Sequence, residues 1–232
     1  MSKKLGDFRI VAECHAADAR RGGDFYYASL GKQGRLAVVI GDACGRGSEG
    51  ARLLTHLIPS IHALVRPGSG PTRLLSELNR RVAGGVPIDR FVTALALEID
   101  AASGTMQVAN AGHVPPLVRR ARGGVSLVGR ASGPPLGLLK DPTYEEETVH
   151  VDLGDLLVFM TDGVVEAVES DLVNMSHLRS AIEHAPGGRV HSSVGRMLRD
   201  VTCEADDRTL VSLEICLEPG CGEGELRGRD RS

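Results

Sequence analysis

Asp42 stands in Gly41-Asp42-Ala43-Cys44-Gly45-Arg46-Gly47, three glycines in seven residues, directly after the apolar run Leu36 to Ile40. A buried strand that ends on a carboxylate fixes it in space, and the glycines let the backbone stay close to it. Side-chain and main-chain oxygens can then converge on one ion, which is how hard cations are held. The same arrangement also serves as a plain strand-to-helix turn whose Asp satisfies local N–H groups. Further acidic positions repeat the placement: Asp24 after Gly22-Gly23, Asp162 in Thr161-Asp162-Gly163, and the pair Asp206-Asp207. Each flanks a predicted strand, and each alone also fits a cap or turn. Together, with no histidine set beside them, they form a cluster that repels itself unless cations neutralise it. Oxygen-only ligation favours Mg2+ or Mn2+ over Zn2+.

The elements that must position these residues can be read from periodicity. Residues 8 to 17 alternate as a strand with Phe8, Ile10 and Ala12 on one face. A second strand follows Gly22-Gly23-Asp24, and Gly31 to Gly34 is a hairpin turn into the Leu36–Ile40 run. Asp24 and Asp42 are therefore expected on antiparallel neighbours. Ser48 to Val65 reads as a helix with Ala51, Leu54, Leu57, Ile58, Ile61, Leu64 and Val65 on one face, and His56 and His62 at other angles, expected at the surface. A second helix opens at Pro71, carries Leu74, Leu75, Leu78 and Val82, and stops at Gly84-Gly85. Strands are then predicted over Phe91–Ile99, Thr105–Ala109, Leu117–Arg119, Val125–Val128, Thr148–Leu153, Leu156–Met160 and Arg208–Leu217, with helices over 173–184 and 190–202. Strands run together and helices group apart, which is an α+β layered architecture and not alternating βαβ.

Composition removes several function classes. A chain of 232 residues is long enough for one substantial core. A net charge of −3 gives no bulk attraction for nucleic acid. Five cysteines, Cys14, Cys44, Cys203, Cys216 and Cys221, contain no CxxC pair, which argues for reduced thiols and a cytoplasmic setting. No apolar stretch approaches the ~20 residues of a membrane helix, and no leader-like segment follows Lys3-Lys4. The expected organisation is a single domain over residues 1–218 and a disordered charged tail over 219–232.

Gly22-Gly23-Asp24-Phe25-Tyr26, Gly41 to Gly47, Asn110-Ala111-Gly112-His113, Gly133 to Gly137, Thr161-Asp162-Gly163 and Asp206-Asp207-Arg208-Thr209-Leu210 occur in this order. Together they resemble the SpoIIE-like branch of the PPM (protein phosphatase 2C-type) metal-dependent serine/threonine phosphatases, over roughly residues 8 to 217. The resemblance implies a four-layer α-β-β-α sandwich and a two-metal centre, Mn2+ or Mg2+, that hydrolyses phosphoserine or phosphothreonine without a covalent intermediate. It implies that Asp42 bridges both ions, that the Ala43 carbonyl binds one of them, and that Asp162 and Asp206 complete that ion's shell. Asp24 would lie on the second ion's side. Asp206 matches the family's ligand because it stands three before Thr209, and Asp207 is the neighbour left open.

Two departures matter. Cys44 stands where SpoIIE-like members carry serine and eukaryotic members a histidine proposed as general acid, so the source of the leaving-group proton is open. Cys44 reads either as an oxidation-sensitive thiol or as a small packing residue. Ala43 replaces a glycine, harmlessly, since only its carbonyl is used. Arg20 and Arg21 could grip a substrate phosphate or be solvated surface charges. His113 reads as a hydrogen bonder that fixes its loop.

The resemblance further implies a substrate such as a phosphorylated STAS-domain anti-sigma-factor antagonist of bacterial partner-switching, in a small stand-alone member whose control comes from a partner acting in trans, from expression level or from substrate supply. Other phosphatase chemistries fail on spacing. Gly50, not Arg, stands six after Cys44, so the C-x5-R nucleophile is missing. No Lys follows the glycines as a P-loop requires. The alternative from another class is a non-catalytic module that binds phosphoproteins.

Overall fold

The computed structural model describes residues 2–15, 22–44, 48–84, 90–130, 133–165, 175–185, 207–216 and 224–229. Two short strands open the chain, β1 (Ser2–Leu5) and β2 (Phe8–His15), followed by the hairpin of β3 (Asp24–Leu30) and β4 (Arg35–Ala43). Helices α1 (Ser48–Leu64) and α2 (Pro71–Ala83) come next. Then follow β5 (Val92–Asp100), β6 (Thr105–Ala111), β7 (Leu117–Arg119), β8 (Val125–Leu127), β9 (Glu146–His150) and β10 (Leu156–Met160). Helix α3 (Met175–His184) and strands β11 (Arg208–Ile215) and β12 (Gly224–Arg229) end the described chain.

The strands form two antiparallel sheets of six, ordered β1-β2-β11-β10-β7-β8 and β12-β3-β4-β5-β6-β9. Alternation along each strand decides what each face meets. Tyr26, Ala28, Val38, Ile40, Leu95 and Leu97 of one sheet pack against Phe8, Ile10, Leu157, Phe159, Val211 and Leu213 of the other. The intervening residues Ala37, Val39, Ala94, Ala96, Ala109 and Ala111 turn the opposite way and carry α1 and α2 through Leu54, Leu57, Ile61, Leu75, Leu78 and Val82. Alanine at five of those six sheet positions lets the helices settle close in a chain poor in aromatics. On the far side, Leu156, Val158 and Met160 of β10 pack on Leu178 and Ile182 of α3. The result is the expected α-β-β-α sandwich.

Boundaries differ from the sequence reading in instructive places. β1 was not anticipated: Lys3 and Lys4 are exposed, and the strand exists because Ser2–Leu5 pairs with Phe8–Val11 across a turn at Gly6, φ 55°. Residues 219–232 were expected to be disordered, yet Gly224–Arg229 pairs antiparallel with Phe25–Leu30. The local pattern there has little strand propensity; the open edge of β3 supplies the partner. The loop over Gly133–Leu138 is tied down, with Leu136 and Val92 exchanging both backbone hydrogen bonds, 2.8 and 2.9 Å. Leu53, outside the predicted apolar face of α1, is buried. His62 is half-buried with its ring 5.0 Å from that of Tyr27, while His56 is exposed as expected. The predicted helix over 190–202 lies outside the described residues.

Candidate metal centre

The β3–β4 register sets Asp24 directly opposite Asp42, and the β4–β5 register sets Asp42 opposite Thr93. Tyr26 and Ile40, two residues along each strand, belong to the core between the sheets. By alternation both carboxylates are therefore on that same inner face, at the ends of their strands. The other sheet reaches this end through Thr161, just past β10, and Thr209 of β11. Thr161 Oγ1 donates to Asp24 Oδ2 at 2.9 Å and accepts the Thr209 N–H at 3.0 Å. Thr161 N–H donates to the Thr209 carbonyl at 3.1 Å. One threonine hydroxyl thus ties the two sheets together beside the carboxylates.

Gly22 and Gly23 are required by close approach. A Cβ on Gly22 would strike the Asp207 carboxylate. A Cβ on Gly23 would sit 2.5 Å from Asp42 Oδ1 and 2.6 Å from the Ala43 carbonyl oxygen. A carboxylate oxygen and a main-chain oxygen therefore pack against the same side of Gly23, so closely that no side chain would fit there. Gly23 N–H donates to Asp207 Oδ2 at 2.9 Å, and the Gly23 carbonyl accepts the Ala43 N–H at 3.0 Å.

Electrostatics makes this arrangement costly without a counter-ion. Asp24 is 1% exposed, and its carboxyl is pushed well above the ordinary range, first by burial and then by the charge of Asp42. Its Oδ1 is buried and has no hydrogen-bond partner among the described residues. A buried carboxylate opposite a second one is destabilising while both are ionised, and either a proton or a bound cation relieves that cost. The two polar atoms nearest Gly23, Asp42 Oδ1 and the Ala43 carbonyl oxygen, are both oxygens, the donor type a hard divalent cation takes.

Asp162 is exposed at the start of a helical turn over 162–165, its Oδ1 accepting the Gly163 N–H at 2.9 Å, one residue from the Thr161 that holds Asp24. Among the described residues no three Asp, Glu, His or Cys side chains are gathered tightly enough to enclose an ion. Asp206, Arg20 and Arg21 lie outside the described residues. The structure thus sets Asp24 opposite Asp42, packs the Asp42 and Ala43 oxygens on Gly23 and bonds Asp207 to the Gly23 N–H, while Asp162 is exposed beside Thr161.

His113 is buried, and its loop is braced by Asn110. The Asn110 amide donates to the carbonyls of His113 and Gly129 at 2.9 and 2.7 Å, and its oxygen accepts the His113 N–H at 2.7 Å. His113 Nδ1 meets Thr93 Oγ1 at 3.0 Å. Burial lowers the His113 pKa to about 4, so the ring is neutral at pH 7 and has no cationic proton to give. It fixes its loop, as expected. Cys44 is half-buried, with its N–H on the Phe91 carbonyl at 3.0 Å. Sequence reasoning quoted Thr161 and Thr209 within their motifs but gave them no role. A threonine ending a buried strand beside an aspartate was the available signal.

Two antiparallel sheets packed between helices in this order form the PP2C-type phosphatase fold. Residues 32–215 match the profile of Stage II sporulation protein E (SpoIIE), and the chain belongs to that family. It is 26% identical over 180 residues to phosphoserine phosphatase RsbU of Bacillus subtilis (strain 168), covering 77% of this chain and 52% of that protein. The chain thus spans about half the length of that relative. The crystal structure of the RsbU and RsbW domains of Rv1364c from Mycobacterium tuberculosis aligns with a TM-score of 0.77 at 27% identity, covering 95% of this chain and 63% of that one. The catalytic domain of serine threonine protein phosphatase PstP, in complex with 2 manganese ions, aligns with a TM-score of 0.65 at 16% identity, covering 92% of this chain and 100% of that one.

Proposed function

We propose that this chain is a metal-dependent protein serine/threonine phosphatase that hydrolyses phosphoserine or phosphothreonine with a water nucleophile and no covalent intermediate. The observation that carries the reading is the Asp24–Asp42 pair, set opposite each other at the ends of their strands, with Asp42 Oδ1 and the Ala43 carbonyl oxygen packed on the same side of Gly23. Asp42 would bridge two ions and Ala43 would give its carbonyl to one. Asp162 and Asp206 would complete that ion's shell, with Asp24 on the second ion's side. Bound there, Mn2+ or Mg2+ would acidify water and neutralise the phosphoryl oxygens as they take up charge.

The chain's own part is placement. Thr161 holds the Asp24 carboxylate by one oxygen, and the other oxygen is buried. The buried strands hold both carboxylates still, so little reorganisation is needed when charge develops. Arg20 and Arg21 precede Gly22 and are suited to meet the substrate phosphate. The substrate class is a signalling phosphoprotein such as a STAS-domain antagonist of an anti-sigma factor, in keeping with a relative named phosphoserine phosphatase RsbU. The setting is cytoplasmic; among the described residues no helix is long and apolar enough to cross a membrane. Hydrolysis of p-nitrophenyl phosphate with and without Mn2+ tests the reading. Turnover that appears only with the ion supports it, and binding of phosphoprotein without any turnover would make the chain a recognition module.

A further inference from the structure

Asp206-Asp207 offers two adjacent carboxylates where one ligand is needed, and the geometry points to a division of labour: Asp207 is a positioning residue that clasps the backbone of Gly23 and is not a cation ligand. This rests on the reading of the site as a metal centre. Three contacts carry it. Asp207 Oδ2 accepts the Gly23 N–H at 2.9 Å across 184 residues of sequence. The Gly22 backbone lies so close to the same carboxylate that no Cβ would fit between them. The clasped glycine then passes the constraint on: its carbonyl accepts the Ala43 N–H at 3.0 Å, and its Cα faces Asp42 Oδ1 and the Ala43 oxygen.

A continuous line therefore runs from the start of β11, through the two glycines that lead into β3, to the end of β4. Its last member is the peptide that presents the oxygens of Asp42 and Ala43. Asp207 holds the start of one sheet's β11 against the glycines that lead into the other sheet's β3, a second tie beside the Thr161 hydroxyl. The requirement on residue 207 is an acceptor oxygen of the right reach. A negative charge is not required, and this separates a clasp from a ligand.

The experiment compares Asp207→Ala with Asp207→Asn, which keeps a side-chain carbonyl for Gly23. Two quantities are read: Mn2+ affinity by calorimetry, and hydrogen exchange of the Gly23 amide in the metal-free protein. Loss of a supporting hydrogen-bond partner weakens metal affinity by about 10–100-fold, and that is expected of Asp207→Ala. Asp207→Asn should retain most of the affinity and the slow exchange of Gly23, while Asp207→Ala should exchange fast. If Asp207→Ala does not fold, Asp207→Ser, too short to reach, takes its place. Loss of Mn2+ binding in Asp207→Asn with Gly23 still protected would make Asp207 a ligand and overturn the assignment, as would equal Gly23 protection in all variants. Absence of Mn2+ binding by the wild type would instead sink the metal-centre reading, and the exchange measurement would still decide whether the clasp exists.

Discussion

At the residue scale, the site depends on what is missing from Gly23. A single methyl there would meet Asp42 Oδ1 at 2.5 Å and the Ala43 oxygen at 2.6 Å, so one of the oxygens must move. Gly23→Ala is therefore expected to fold and to need a higher Mn2+ concentration for hydrolysis. Unchanged metal dependence would show that these oxygens do not share an ion. His113 gives a second prediction. Its pKa falls from 6.5 in the unfolded chain to about 4 in the fold. As pH drops through this window the unfolded state takes up a proton that the folded state refuses, so stability falls. A shift of that size corresponds to roughly 3 kcal/mol. Urea unfolding of the metal-free protein at a series of pH values should show wild type losing stability relative to His113→Gln between pH 6.5 and 4. Parallel profiles would mean that the ring is not held neutral.

At the scale of elements, α2 and the loop that follows β8 are joined by one side chain. Asn79, 1% exposed, donates to the carbonyls of Leu139 and Lys140 at 3.1 Å each, and its oxygen accepts the Gly137 N–H at 2.8 Å. Asn79→Ala leaves three backbone groups without this partner and is expected to cost about 2–3 kcal/mol in urea unfolding. A loss within a few tenths would mean that water replaces the amide without penalty. The predicted apolar stripe of α2 was legible, but nothing in the periodicity marked Asn79, because a buried polar residue on such a stripe is specified by a distant loop. The β3–β4 hairpin was legible because Gly31–Gly34 punctuates it and Tyr26, Ile40 and their neighbours alternate. From that hairpin the facing of Asp24 and Asp42 could be foreseen. The pairing of β10 with β11, and with it the Thr161–Thr209 link to Asp24, could not, since nothing local encodes which strands meet across the fold.

At the scale of the whole molecule, two sheets meet at one end over carboxylates and at one edge over a strand that the sequence pattern does not announce. Residues 224–229 are Gly-Glu-Leu-Arg-Gly-Arg, a poor strand by composition, and their pairing with β3 closes an edge that would otherwise be open. Ending the chain at residue 216 is expected to lower the unfolding midpoint and promote association through β3, seen by light scattering. A monomer of unaltered midpoint would show that the edge does not need its cover. The most direct test of the metal centre is Mn2+-dependent hydrolysis of a phosphoserine peptide by wild type and by Asp42→Asn, with circular dichroism confirming that both are folded. The expected result is turnover by wild type only when Mn2+ is present, and background turnover by the variant at every Mn2+ concentration. Full turnover by a folded Asp42→Asn protein would contradict the assignment of Asp42 as the carboxylate on which the ions depend.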